Sequence, residues 1–364
     1  MDSLALYYHI PFCRRKCVYC AFYSVPWAGE EDKDRYLRAL IAQTESFPDS
    51  RPVSSVYFGG GTPNLFGAER IDAVLNTARK RYAVSGDCEI TVEVNPGSVT
   101  REELQALFRS GVNRISVGMQ SSDDQMLRFL GRQHAFSDVV ACVDDARAAG
   151  FDNLSLDLLY ALPGQTLEQF RQTLTDAVRL GPDHMSVYSL QIEEGTVLSK
   201  KCSELVFPSE EEEEAQYDLL CRMLKEAGYR HYEISSFARE NRLSRHNMHY
   251  WECGEYIGFG PAAHSYWRGK RFSNTPDVRS YISAPLTSND YSSAERISEE
   301  ESMEERIMLG LRTDTGIPVR LVSRAKAEWL CRLGYLSLEG ESCRMTEKGW
   351  RVSNAVIGQL IVQD

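Results

Sequence analysis

The chain of 364 residues carries a formal net charge of −11, with 43% hydrophobic and 26% charged residues. These values exclude a disordered or fibrous class, and the length predicts one large unit with a smaller one attached. The acidic balance argues against nucleic acid as a partner. No apolar run approaches the roughly 18 residues of a membrane helix, so we expect neither an integral membrane protein nor a secretory or transit peptide. Ten cysteines, of which only three are clustered, indicate a reducing cytoplasm.

The first predicted strand leads into a loop that carries three cysteines. Cys13, Cys17 and Cys20 follow a C-x3-C-x2-C spacing. Iron–sulfur clusters are held by cysteine thiolates, normally four, so three thiolates would leave one iron open to a small molecule. Zinc is an alternative that requires a fourth ligand, for which His9 is the nearest candidate, and a disulfide would use only two of the three thiols. The basic residues at 14–16 favour the thiolate form.

Short β-branched and aromatic runs alternate with longer amphipathic stretches from residue 4 to about 190. This alternation predicts an α/β fold with a parallel sheet covered by helices. A complete eight-unit barrel takes about 250 residues, whereas here the pattern stops after six units. The predicted strands are Leu4–His9, Ser54–Phe58, Glu89–Val94, Asn113–Gly118, Asn153–Leu158 and His184–Leu190, with helices such as Lys33–Ser46, Arg70–Tyr82 and Leu167–Arg179 between them.

The pattern changes after residue 195. Ser209 and the glutamate run behind it predict a helix start with a capping box. We expect a barrel domain over 1–235 and a connecting segment over 236–290. A smaller α+β, winged-helix-like domain is expected over 291–364, with helices around Glu299–Arg312 and Ser323–Leu333 and a small strand pair at Leu336–Leu338 and Arg344–Thr346.

Unusual residues stand at the carboxyl ends of the predicted strands, where barrels of this type assemble their sites. Glycines 59–61 follow the second strand and permit a close approach between backbone and ligand, although such turns are common. Glu93 ends the third strand, where a carboxylate is costly unless paired. A helix cap is the alternative there, and Asn95 could supply it equally well. Asp157 within an apolar strand is typical of a functional carboxylate.

The cysteine loop, with Leu6-Tyr7-Tyr8-His9-Ile10-Pro11-Phe12-Cys13 before it, resembles the cluster motif of the radical S-adenosylmethionine (SAM) superfamily. It is similar to the branch of oxygen-independent coproporphyrinogen III dehydrogenase and the HemW haem chaperones, and the resemblance runs over nearly the whole chain. It implies an open six-unit (β/α)6 partial barrel and a [4Fe-4S] cluster on Cys13, Cys17 and Cys20, with SAM on the fourth iron. The implied SAM contacts are Tyr7, Tyr19, Gly60, Gly61, Thr62, Glu93, Gln120, Arg132 and Asp157. Tyr7 and Tyr19 could instead belong to the core, and Arg132 to the surface.

His246-Asn247-Met248-His249-Tyr250-Trp251 resembles the HNxxYW signature of the haem-chaperone branch. If haem is the cargo it needs an axial ligand, and this resemblance makes His246 the first candidate, with His264 and Cys253 as alternatives. The motif could equally be a hydrogen-bonded corner that locks the second domain onto the barrel.

The resemblance therefore implies a [4Fe-4S] protein that binds SAM and haem and passes haem to acceptor proteins, with an electron donor for the cluster and a homodimer as further expectations. The competing hypothesis is coproporphyrinogen III dehydrogenase. That branch carries a further cysteine two residues after the third ligand, where this chain has Phe22, and an N-terminal arm, whereas few residues precede Leu4 here. Both differences favour the chaperone branch, so we expect no coproporphyrinogen dehydrogenase activity. They do not decide whether SAM is cleaved.

Overall fold

The computed structural model describes residues 3–26, 29–286 and 294–361. Its first half alternates strands and helices, and every strand and helix predicted there is confirmed, with ends shifted by up to six residues. The strands are β1 (Leu4–Ile10), β2 (Phe12–Cys13), β3 (Val25–Pro26), β4 (Pro52–Gly60), β5 (Ala83–Val94), β6 (Arg114–Gln120), β7 (Leu154–Tyr160) and β8 (His184–Ser189). The helices are α1 (Glu30–Ser46), α2 (Ala68–Arg81), α3 (Arg101–Arg109), α4 (Asp124–Phe129), α5 (Phe136–Ala149) and α6 (Leu167–Arg179).

The six long strands β1, β4, β5, β6, β7 and β8 lie side by side in that order, and every neighbouring pair is parallel. Strands covered on both faces need apolar side chains throughout, and β6 is buried at every residue. β1 and β8 do not pair with each other, so the barrel is open. Its six carboxyl ends meet at one rim, which is where the site is expected.

The second half adds strands to both edges of this sheet. They are β9 (Arg230–Glu233), β10 (Ser236–Ala238), β11 (Tyr256–Phe259), β12 (His264–Trp267), β13 (Lys270–Ser273) and β14 (Glu295–Arg296), with helices α7 (Val197–Lys201), α8 (Glu210–Glu226), α9 (Arg245–Trp251) and α10 (Val278–Ser283). β10 pairs with β8, and β11 pairs in parallel with β1. The segment expected to connect two domains thus satisfies the edge hydrogen bonds of the barrel sheet and is integral to it.

The C-terminal unit packs around a core of its own, which includes Leu311, Leu330 and Trp350. Its elements are α11 (Glu299–Gly310), β15 (Ile317–Pro318), α12 (Arg324–Arg332), β16 (Leu336–Glu339), β17 (Ser342–Met345), α13 (Glu347–Arg351) and α14 (Ser353–Ile361). The antiparallel order β15-β17-β16 among helices agrees with the expected α+β, winged-helix-like unit. The expected boundary at 290–291 lies outside the described residues. None of the described helices combines the length and the apolar character needed to cross a bilayer.

Candidate functional site

The cysteine loop is fastened to the rim of the barrel at the end of β1. β2 and β3 pair in parallel and close the base of the loop, and the backbone N–H of Thr62 donates to the Phe12 carbonyl at 2.8 Å. All three cysteines are half-buried and free of disulfides. Burial raises the pKa of Cys13 and of Cys20, and the charge of Cys17 raises each further. The three thiols therefore lie within electrostatic reach of one another.

The arrangement of these thiols suits a cluster better than a single ion. Within residues 3–26, 29–286 and 294–361, no three His, Cys, Asp or Glu side chains converge closely enough to hold one metal ion. A cluster spreads its thiolate ligands over several iron atoms, so it does not need that convergence. His9, the candidate fourth zinc ligand, uses both ring nitrogens elsewhere: Nδ1 lies 3.1 Å from the Tyr7 hydroxyl and Nε2 lies 2.9 Å from the Tyr23 carbonyl oxygen. Three thiols that are free of disulfides fit the donor set of an iron–sulfur cluster, and His9 is engaged by Tyr7 and Tyr23.

A chain of polar contacts joins Cys13 to Cys17 through residues that follow β4, β5 and α4. The Cys13 sulfur lies 3.4 Å from Thr62 Oγ1, which accepts a hydrogen bond from Asn95 Nδ2 at 2.8 Å. Asn95 Oδ1 accepts from Arg132 Nη2 at 2.5 Å, and Arg132 Nη1 lies 3.7 Å from the Cys17 sulfur. We call this set the thiol network. From the sequence, Asn95 was considered only as a helix cap. In the structure it links Thr62 and Arg132, which are two predicted SAM contacts.

The residues around Arg132 are shaped to receive its guanidinium. Nη2 donates to the Gly118 carbonyl at 2.8 Å, and a Cβ on Gly118 would lie 2.7 Å from Nη2. Gln120 is buried and has a positive φ of 65°, which is strained for a residue other than glycine and recurs at functional sites. Tyr19 lies on the other side, where burial raises the pKa of its hydroxyl despite the nearby positive charge of Arg132. Arg132 and Tyr19 thus meet beside Cys17, and Gln120 lies next to Arg132 at Gly118.

The glycine turn is packed against the cysteine loop itself. A Cβ on Gly60 would lie 2.5 Å from His9 Cε1, and Gly60 has a φ of 114°. A Cβ on Gly61 would lie 2.8 Å from the Phe12 carbonyl oxygen. These two glycines therefore have a structural reason to be glycine, independent of any ligand, and their contact with SAM stays a prediction.

Two carboxylates line the barrel interior below the rim. Glu93 accepts hydrogen bonds from the Tyr57 hydroxyl at 2.8 Å and from the Gly60 N–H at 3.3 Å. Burial, followed by the negative charge of Asp157, raises the pKa of Glu93 to about 7. Burial also raises the pKa of Asp157, which accepts from the Ser116 hydroxyl at 3.0 Å.

One positively charged residue in this interior was missed by the sequence reasoning. Arg114 is 2% exposed, its Nε has no hydrogen-bond partner among the described residues, and its charge lowers the pKa of both Glu93 and Asp157. An arginine at the start of an apolar strand was the available signal. A buried guanidinium offsets the cost of placing two carboxylates in a low-dielectric interior.

Two cavities flank the cysteine loop. The smaller, of about 380 Å³, is polar and includes Cys17, Thr62, Asn95 and Arg132 in its wall. The larger, of about 820 Å³, lies at the opening of the barrel and receives residues from β1, the cysteine loop, β8, α9, β12 and α11. We call it the lateral cavity. Its lining includes eight aromatic side chains, namely Tyr7, Phe22, Tyr23, Tyr188, Tyr250, Trp251, Tyr256 and Tyr266.

The structure separates His246 from the rest of its motif. Asn247, Tyr250 and Trp251 line the lateral cavity. His246 is 1% exposed, with Nδ1 2.9 Å from Ser55 Oγ and Nε2 2.7 Å from the Tyr250 hydroxyl. Burial lowers the pKa of His246 to about 3, so its ring is neutral. In this arrangement His246 fastens α9 to β4, as the corner alternative described, and its ligation of haem stays a prediction.

The two alternative ligands, His264 and Cys253, both line the lateral cavity. His264 begins β12 and its side chain is exposed. Cys253 follows α9, and burial followed by the charge of Glu305 raises the pKa of its thiol.

Comparisons with known proteins agree with this architecture. The profile of the family described as Radical SAM superfamily matches residues 7–177, and that of the HemN C-terminal domain matches residues 297–352. The solved structure of coproporphyrinogen III oxidase (HemN) from Escherichia coli superposes with a TM-score of 0.84, covering 98% of this chain and 90% of that chain. Its sequence identity is 21%, so this likeness concerns the fold alone.

Curated relatives align over most of the chain. The heme chaperone HemW of Lactococcus lactis is 33% identical over 98% of this chain and 97% of that protein. HemW of Bacillus subtilis is 36% identical over 85% of this chain and 84% of that protein. A mitochondrial radical SAM domain-containing protein 1 from Bos taurus is 36% identical over 86% of this chain and 74% of that protein.

Proposed function

The chain belongs to the HemW family of the radical SAM superfamily, and we propose that it is a haem chaperone that binds haem and transfers it to acceptor proteins. The observation that carries this proposal is the lateral cavity, which opens on residues 21–23 directly after the third cysteine. Its volume of about 820 Å³ lies within the range of small-molecule sites, roughly 300–1,000 Å³. Aromatic walls suit a flat, largely apolar macrocycle.

In this proposal Cys13, Cys17 and Cys20 hold the [4Fe-4S] cluster that the family implies. When bound, the cluster supplies an electron and an open iron for SAM. Arg132, positioned by Asn95 and Gly118, offers a cation beside Cys17 for the SAM carboxylate. The other proposed SAM contacts are Tyr7, Tyr19, Gly60, Gly61, Thr62, Glu93, Gln120 and Asp157.

Arg132, Thr62 and Asn95 act in the proposed site by orienting donors and not by moving protons. Burial and hydrogen bonding hold each of these side chains before any ligand arrives, so binding does not have to immobilise them. Glu93 has a pKa of about 7, which permits a change of charge near neutral pH. Glu93 can accept a hydrogen bond as a carboxylate or donate one as a carboxylic acid. SAM binding is therefore expected to depend on pH through Glu93.

The competing function is oxidative decarboxylation of coproporphyrinogen III. Phe22 occupies the position of the additional cysteine of that branch, and it is 68% exposed at the wall of the lateral cavity. This substitution supports a chaperone without dehydrogenase activity. The cavity itself would admit either tetrapyrrole, so the two functions must be separated by experiment.

We propose an electron donor for the cluster, haem-acceptor proteins and a homodimeric state, with a cytoplasmic location. The support for a reducing compartment is the cysteine usage, since only three of the ten cysteines are clustered.

The test is anaerobic reconstitution of the cluster followed by parallel incubation with haem and with SAM plus coproporphyrinogen III. A chaperone takes up haem in a defined ratio, passes it to an apo-cytochrome and forms no decarboxylated product. Release of 5′-deoxyadenosine in each arm measures whether SAM is cleaved. Decarboxylated product without stable haem uptake would reverse the ranking of the two functions.

A further inference from the structure

The lateral cavity contains one histidine whose ring is available to a ligand. The chain has seven histidines, and all of them lie in the described residues. Six have a ring nitrogen within hydrogen-bonding distance of another group; they are His9, His134, His184, His231, His246 and His249. His264 is the seventh, it is exposed at the cavity wall, and its ring has no partner among the residues that the structure describes.

The backbone beneath His264 is held firmly although its ring is free. His264 pairs with Ser273 across β12 and β13, and the next residue, Ser265, accepts a hydrogen bond from the Gly258 N–H at 2.9 Å. A Cβ on Gly258 would lie 2.2 Å from the His264 carbonyl oxygen, so the two backbones pack directly against each other. A side chain on such a rigid strand is presented at a fixed place, which lowers the entropic cost of ligation.

The other potential ligands in the cavity wall are less suited. Cys253 would have to ionise, and burial raises the pKa of its thiol. Burial likewise raises the pKa of the Tyr256 and Tyr266 hydroxyls. A neutral imidazole binds haem iron without a proton having to leave.

We propose that His264, from the wall of the lateral cavity, is the axial ligand of the haem, and that His246 instead positions that wall. The proposal rests on the proposed haem-chaperone function. The bond that forms is between a lone pair of an imidazole nitrogen and the haem iron, and a water molecule leaves the iron. No oxidation or proton transfer accompanies the step.

The charges of the cavity indicate how the cargo is held. Arg271 is the only lysine or arginine in the described lining, and it already binds Glu305, with Nη2 to Oε2 at 2.7 Å. The wall therefore offers no unpaired cation to clamp the haem propionates, which then face solvent at the mouth. One coordinate bond together with aromatic contact gives a complex from which an acceptor can take haem by supplying a competing ligand.

The experiment titrates haem into the full chain with its reconstituted cluster and compares wild type, His264→Ala, His264→Met and Cys253→Ser. Wild type and Cys253→Ser should show the absorption and resonance Raman bands of imidazole-ligated haem. His264→Ala should lose these bands and bind haem about tenfold more weakly, a loss of about 1.4 kcal/mol, and added imidazole should restore the spectrum. His264→Met, which keeps the bulk of the side chain, should show thioether ligation instead.

A parallel titration with His246→Gln separates the two histidines. Retained imidazole bands in His264→Ala would overturn the proposal while the chaperone function stands, and their simultaneous loss in His246→Gln would assign the ligation to His246. Failure of the wild-type protein to take up haem would overturn the chaperone function itself. Iron and sulfide analysis of each variant shows whether the cluster site is intact, so that a folding defect is recognised.

Discussion

Glu93 should make the protein less stable as the pH rises towards neutrality. Its pKa is raised from an ordinary value of 4.5 to about 7 by burial and by Asp157. Below about pH 4.5 the carboxyl is protonated in the folded and the unfolded chain alike, so it adds no penalty. Between about pH 4.5 and 7 the unfolded chain releases the proton while the folded chain keeps it, and the free energy of unfolding falls. Above pH 7 a penalty of roughly 3 kcal/mol remains.

Glu93→Gln removes this penalty. Gln offers one acceptor oxygen where Glu93 has two, so the loss of one accepted hydrogen bond, from Tyr57 or from the Gly60 N–H, should cost about 1 kcal/mol at every pH. Relative to wild type, the free energy of unfolding of the variant should therefore rise by about 2 kcal/mol between pH 5 and pH 8, the part of the linkage that falls in this interval. The assay is urea unfolding of cluster-free protein at several pH values, followed by fluorescence.

Tyr57→Phe is the matched control, because it deletes the hydrogen bond to Glu93 Oε1 and keeps the carboxyl. This variant should retain the fall in stability with rising pH. The reasoning would be refuted by wild-type and Glu93→Gln stabilities that run parallel from pH 5 to pH 8.

Three further predictions concern the rim of the barrel. Cys20→Ala should lose most of its iron and the broad visible absorption after reconstitution, and full iron content would contradict the cluster assignment. Gly118→Ala should bind SAM about tenfold more weakly with normal cluster content, because the added Cβ would lie 2.7 Å from Arg132 Nη2 and displace the guanidinium. Unchanged affinity in equilibrium dialysis would mean that Arg132 does not hold the ligand. Gly61→Ala should lower both soluble yield and iron content, since its Cβ would lie 2.8 Å from the Phe12 carbonyl oxygen; wild-type values for both would argue against the glycine turn as the support of the cysteine loop.

Part of the candidate site could be located from the sequence alone. The position of Glu93 at a strand end and the cysteine spacing were both visible, because the carboxyl ends of parallel strands share one rim whatever the exact packing. The motif resemblance added Arg132, which the structure brings to 3.7 Å from the Cys17 sulfur. The role of Asn95 was not predicted, because its partners Thr62 and Arg132 are more than thirty residues away in the chain. No local sequence pattern indicates a contact at that distance.

The six barrel strands and the capping box at Ser209 were predictable from sequence because they depend on side-chain period and on contacts three residues apart. Only the tertiary structure decided that the lateral cavity exists and that His246 is bonded to Ser55 and Tyr250. It also decided that the ring of His264 has no partner in the part of the chain that the structure describes. Whether a histidine is free depends on which distant side chains pack against it. That information is distributed over the whole fold and is absent from the residues beside it in the chain.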